Sequence, residues 1–129
     1  MRALLDTHVL LWWLLDDARL SPRVRMIMTD GRNELLWSVA SSWELAIKVG
    51  LGKVRVPGPL RSYIPGKLQE QNILTLQVEH AHAFEVAELP LLHRDPFDRL
   101  LIAQARIERI TLISVDEHLR PYDIEVIWH

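Results

Sequence analysis

The stretch Ala3-Leu4-Leu5-Asp6-Thr7-His8-Val9-Leu10-Leu11-Trp12-Trp13-Leu14-Leu15-Asp16 decides the fold. Ala3-Leu4-Leu5 is a short apolar run cut off by a carboxylate. Residues 8–16 follow with apolar side chains at helical spacing, so the pair predicts a buried strand feeding a helix. Outward from it the same unit recurs. Ser21-Pro22 offers a cap and a first-position proline for a helix that Gly31 stops. Residues 34–37 predict a strand, after which Ser38 or Ser41 caps a helix carrying Trp43, Glu44, Ala46, Ile47 and Lys48 and ending at Gly50 or Gly52. Residues 73–76 predict a third short strand and 79–88 a helix, and Asp95-Pro96 opens a helix through Arg109. Residues 111–115 and 124–128, β-branched or apolar, predict the last strands. Pro57-Gly58-Pro59 and Pro65-Gly66 are expected to be turns. Strands alternating with helices along the whole chain predict an α/β fold, with a mostly parallel sheet flanked by helices on both faces.

The chain has 129 residues, which suits one domain spanning 1–129. Hydrophobic residues make up 49% and charged residues 25%, the balance of a globular protein rather than a disordered one. Cysteine is absent, which excludes disulfides, thiolate zinc sites and a catalytic thiol, and points to a reducing, cytoplasmic setting. Asp6 interrupts the N-terminal apolar run too early for a signal peptide, and residues 9–15 are far short of the ~20 that a membrane helix needs, so no membrane partner is expected. A net charge of −2 argues against binding nucleic acid by bulk electrostatics, so a polyanionic substrate needs a local device.

That device is visible in where the acids fall. In open α/β sheets the functional crevice lies beyond the carboxyl ends of the strands. Asp6 ends the first strand and Asp116 follows the strand at 111–115. Glu44 lies near the start of the helix after 34–37, and Asp98 lies in the first turn after Pro96. Carboxylates gathered from four segments repel one another unless a cation joins them. Mg²⁺ and Mn²⁺ prefer oxygen ligands and keep several waters, which suits sparse carboxylates, and the chemistry such a site supports is phosphodiester hydrolysis. Each acid also has a structural explanation. Asp95 and Asp98 stand where carboxylates cap a helix, and Ser41-Ser42-Trp43-Glu44 matches a capping box if Ser41 is the cap. Asp6, between a buried strand and an apolar helix, is the hardest to explain by structure alone.

The chain resembles the PIN-domain nucleases, specifically the VapC-type toxins of toxin–antitoxin pairs. The resemblance rests on Leu4-Leu5-Asp6-Thr7-His8, Ser41-Ser42-Trp43-Glu44-Leu45-Ala46-Ile47-Lys48, the segment from His93 to Ala105 containing Asp95-Pro96-Phe97-Asp98-Arg99, and Leu112-Ile113-Ser114-Val115-Asp116. It covers essentially the whole chain. It implies a doubly wound sheet, dependence on Mg²⁺ or Mn²⁺, RNA as substrate, a small antitoxin protein as partner, and a homodimer. It assigns the metal-binding and catalytic acids to Asp6, Glu44, Asp98 and Asp116, with Asp95 as an extra acid. Ser114 stands where the family often has threonine, and is expected to orient a carboxylate or water.

Arg94 and Arg99 flank the third acid and are candidates to hold substrate phosphates, or else they balance the acidic cluster, as Lys48 does one helical turn from Glu44. The five tryptophans are expected in the core or an interface, and His80 and His82, two apart on a helix, diverge too far for a metal pair. His8, His93 and His118 are not assigned as ligands. The competing readings are a housekeeping RNA-processing nuclease, a catalytically idle PIN-like scaffold, and a receiver-type phosphoacceptor domain. The last lacks its lysine after the strand at 111–115. Neither G-x-x-x-x-G-K nor G-x-S-x-G occurs, which leaves NTPase and serine hydrolase chemistry without support.

Overall fold

The N-terminal apolar run forms the central strand because both of its faces are covered. A computed structural model of the chain describes residues 1–92, 95–119 and 122–128. The elements run β1 (Arg2–Leu5), α1 (Thr7–Leu14), α2 (Pro22–Thr29), β2 (Glu34–Ser38), α3 (Val39–Gly50), α4 (Leu60–Glu70), β3 (Leu74–Leu76), α5 (His80–Glu85), α6 (Pro96–Glu108), β4 (Thr111–Ser114) and β5 (Val126–Trp128). The strand order is β3-β2-β1-β4-β5 and every pairing is parallel. The chain winds one way from β1 through β3 and the other way from β4 to β5, so the order reverses between β1 and β4. That is the doubly wound α/β arrangement.

Period-two alternation sorts the strand side chains into two cores. Leu5, Trp37 and Ile113 share one register level and pack with Val9, Leu10, Val24, Leu45, Ile64 and Leu68 of α1 to α4. Leu4, Leu36 and Leu112 share the next level and pack with Leu101, Ile102 and Ala105 of α6, together with Leu119 and Tyr122. Strands covered on both faces read as continuous apolar runs, which is how β1, β2 and β4 appear in the sequence.

Caps set the helix starts. Ser21 accepts the Val24 N–H at 3.2 Å, Ser38 accepts the Ala40 N–H at 3.0 Å, and Asp95 accepts the Phe97 and Asp98 N–H groups at 2.8 and 3.1 Å. With Ser38 as the cap, Glu44 falls in the second turn of α3 and no capping box engages it. The helix expected over 79–88 is shorter, α5 being followed by a 3₁₀ turn at Val86–Glu88.

One expectation is corrected. Pro65-Gly66 is not a turn but lies inside α4. An interior proline costs about 3 kcal/mol through a lost hydrogen bond and a clash with the preceding turn. Leu60, Ile64 and Leu68, four apart, lay one face of α4 on the core. Burying side chains of that size contributes roughly 1.5–3 kcal/mol each, which offsets the proline.

Candidate active site

Asp6 caps α1 and looks back at β4. Its Oδ1 accepts the Val9 N–H at 2.8 Å. Its Oδ2 accepts the Ser114 hydroxyl at 2.6 Å and the Val115 N–H at 3.1 Å. The carboxyl is buried, and that burial pushes its pKa above the ordinary aspartate value, against the opposing pull of the Ser114 hydroxyl, the two backbone donors and nearby His8. A buried carboxylate held by neutral donors is a group that an added cation would stabilise.

Ser114 joins two of the acids. While donating to Asp6, its Oγ accepts the Asp116 N–H at 3.0 Å, which ties the backbone carrying Asp116 to the Asp6 carboxylate. Glu44 enters from α3, buried, with Oε1 accepting the Thr7 hydroxyl at 2.5 Å and Oε2 accepting Lys48 Nζ at 2.6 Å. Asp98, half-buried, stands in the first turn of α6, with Asp95 as that helix's cap.

All five acids border one cleft of about 470 Å³, together with His8, Trp12, Arg19, Lys48 and Val115. It opens at the carboxyl ends of β1 and β4, where the strand order reverses and α/β sheets place their ligands. A larger groove of about 580 Å³, lined by Trp37, Leu45, Ile64 and Leu68, is apolar and carries none of the acids. Among the described residues no three carboxylate or imidazole side chains converge as a ready cage for a metal ion. Like-charged groups stand apart when no cation joins them, and Glu44 is turned towards Lys48. The donors are nonetheless all oxygens, which suits a hard ion that keeps several waters.

Arg99 requires a correction. Its guanidinium is buried and donates to the carbonyls of Pro90, Val86 and Leu89 at 2.9, 3.0 and 3.4 Å, and it is not among the residues lining the cleft. It clamps residues 86–90 after α5, a use that side-chain spacing along α6 does not reveal. Arg94 and His93 lie outside the described residues. Trp43, expected in the core or an interface, is 62% exposed, whereas Trp37 is fully buried. His82 is buried and bonds the Glu79 N–H through Nδ1, while His80 stacks on Phe84, so the two do diverge.

Sequence reasoning passed over Thr7, Trp12 and Arg19. Thr7 carried a signal, since it directly follows Asp6 at the first position of a helix. Arg19 carried none, because the loop that returns it to the cleft has no periodicity.

The PIN-domain family model matches residues 3–125. The chain belongs to the PIN-domain family. Ribonuclease VapC16 of Mycobacterium tuberculosis is 45% identical over 58 residues, a match covering 45% of this chain and 41% of that protein. The chain thus matches less than half the length of this curated relative. Among solved structures, VapBC2 from Rickettsia felis bound to a promoter DNA fragment matches with a TM-score of 0.73 at 14% identity, over 100% of this chain and 99% of the other. VapBC-1 from nontypeable Haemophilus influenzae matches with a TM-score of 0.65 at 15% identity, over 99% and 98%. At such identity these likenesses speak for the PIN fold. Among the described residues, no helix of this PIN domain is long and apolar enough to cross a membrane.

Proposed function

We propose that this PIN domain is a Mg²⁺- or Mn²⁺-dependent endoribonuclease acting in the cytoplasm as the toxin of a toxin–antitoxin pair. The observation that carries the reading is the buried Asp6 carboxylate at the strand-order reversal, on one cleft with Glu44, Asp98 and Asp116. Asp6, Asp98 and Asp116 would hold the ion, with Glu44 bordering them. When bound, it supplies positive charge to polarise a phosphate and steady the leaving oxygen. The chain's own part is orientation. Ser114 keeps Asp6 turned towards the Asp116 backbone, and Thr7 and Lys48 fix both oxygens of Glu44. Likeness to a named ribonuclease supports RNA as the substrate, and likeness to VapBC assemblies supports a small antitoxin as the partner.

The test is incubation of the purified protein with cellular RNA in Mg²⁺, in Mn²⁺ and in EDTA, with mapping of the cut ends. Cleavage in either metal and none in EDTA is expected. Undiminished cutting in EDTA would remove the metal from the reading, and no cutting under any condition would favour an idle scaffold. Growth arrest on expression alone, relieved by a neighbouring gene product, would separate a toxin from a housekeeping nuclease.

The homodimer that the resemblance implies is assigned to the exposed face of α3. Val9, Leu10 and Leu11 are buried in the core, whereas Val39, Trp43 and Ile47 of α3 and Leu51 just past it form an exposed apolar stripe with a four-residue repeat. A second copy covering that stripe is expected to be lost in Trp43→Glu. Sedimentation should then show a dimer for the wild type and a monomer for the variant, and an unchanged dimer would place the interface elsewhere.

A further inference from the structure

We propose that Arg19, seated on the face of Trp12, anchors an RNA phosphate beside the bond to be cut. The inference rests on the nuclease reading and adds the residue that holds the substrate. The cleft is rich in carboxylates and the chain carries a net charge of −2, so a polyanion entering it needs a positive group at the wall. Among the described lining residues, the lysine and arginine side chains are Lys48 and Arg19. Lys48 is committed to Glu44 at 2.6 Å.

Arg19 is built differently. Its guanidinium carbon lies 4.5 Å from the centre of the Trp12 ring. One edge is held by Asp17, with Nε donating to Oδ1 at 3.1 Å and Nη2 to Oδ2 at 2.7 Å. Nη1 has no protein partner among the described residues, and the side chain is 67% exposed. A guanidinium already seated on an indole face loses little freedom on meeting a phosphate, and its planar fork suits that oxygen geometry.

A purely structural role fits less well, because the loop is tied down without Arg19. Arg25 donates to the Asp17 carbonyl through Nη2, to the Leu20 carbonyl through Nε and to Asp16 through Nη1. Leu20 is buried in the core between these ties.

The test uses a fluorescein-labelled, mixed-sequence single-stranded RNA, with anisotropy read across a NaCl series in EDTA. Arg19→Ala is expected to weaken binding roughly tenfold, the scale of one charged hydrogen-bonding contact. It should also reduce the slope of log Kd against log salt by about 0.7, one phosphate contact on a single strand. Arg19→Lys should recover the slope but only part of the affinity. Asp17→Asn should act in the opposite sense and tighten binding, because it releases the engaged edge of Arg19 and removes an anion from the rim. A structural ion pair makes the two losses behave alike.

An unchanged salt slope in Arg19→Ala, equal weakening in both variants, or no RNA binding by the wild type would overturn the inference. Cleavage in Mg²⁺ or Mn²⁺ tests the nuclease reading separately. Arg19-dependent binding without any cutting would sink that reading and leave the anchor, whereas cutting with an Arg19-independent salt slope would do the reverse.

Discussion

Asp6→Asn is expected to lower RNA cleavage by roughly 10²–10³-fold, the scale of removing one preorganised electrostatic donor from an active site, while the protein stays folded. Asparagine keeps the cap, since its oxygen can accept the Val9 N–H now bonded at 2.8 Å. Its amide can accommodate the rotatable Ser114 hydroxyl but not the Val115 N–H, now 3.1 Å from Oδ2, so one hydrogen bond is lost. Opposing that loss is the relief of a buried charge. Burial raises the carboxyl pKa of Asp6 above its reference value of 3.8. With the folded value above the unfolded one, the carboxyl's contribution to stability is fully present below the unfolded pKa and disappears as pH rises through the folded one. Metal-free wild type therefore loses stability relative to Asp6→Asn as pH rises from about 4 towards 7. Melting curves in EDTA across that range, repeated with Mg²⁺, check both halves. Mg²⁺ should raise the wild-type Tm much more than that of the variant. Wild-type turnover in Asp6→Asn, or a Tm difference that does not change with pH, would show that the buried carboxylate is not the centre of the site.

Asp98→Asn should lose cleavage by a comparable factor, and Asp95→Asn should keep most of it. Both acids border the cleft, so position alone does not separate them. Their backbone duties do. Asp95 Oδ1 accepts two N–H groups at the start of α6, from Phe97 and Asp98, a task asparagine performs about as well as aspartate. Only part of the helix-dipole term, roughly 0.3–1 kcal/mol, would be lost. Asp98 already has its N–H satisfied by Asp95 and is proposed to place its own carboxylate towards the ion, where loss of the negative oxygen weakens metal affinity. Metal titration alongside RNA cleavage decides between them. The reverse ranking would make Asp95 the third acid and leave Asp98 as a first-turn dipole partner.

Much of this architecture follows from local sequence. Short, largely apolar runs at 3–5, 34–37 and 111–115, each followed by a helix or a turn, specify strands covered on both faces, and such strands pair in parallel. Asp6 and Asp116 directly follow such runs, so their placement at the carboxyl edge needed only the period of the chain. Ser21 and Asp95 declare helix starts because a cap acts on N–H groups two or three residues away, whereas the choice of Ser38 over Ser41 was made by the structure.

What required the tertiary structure are matters settled by contacts between segments distant in sequence. The passage of α4 through Pro65 depends on Ile64 and Leu68 finding the core that other elements build. Arg99 turned inward because the carbonyls of Val86, Leu89 and Pro90 needed donors, and a carbonyl's need is invisible in the residue type that bears it. The exposure of Trp43 arose because α3 buries Leu45 and Glu44 on its other side. Arg19 reached the cleft only because the loop after α1 folds back across Trp12. Periodicity and capping are local forces that the sequence carries in itself, whereas the partner of a long polar side chain is chosen by whatever the completed fold leaves within its reach.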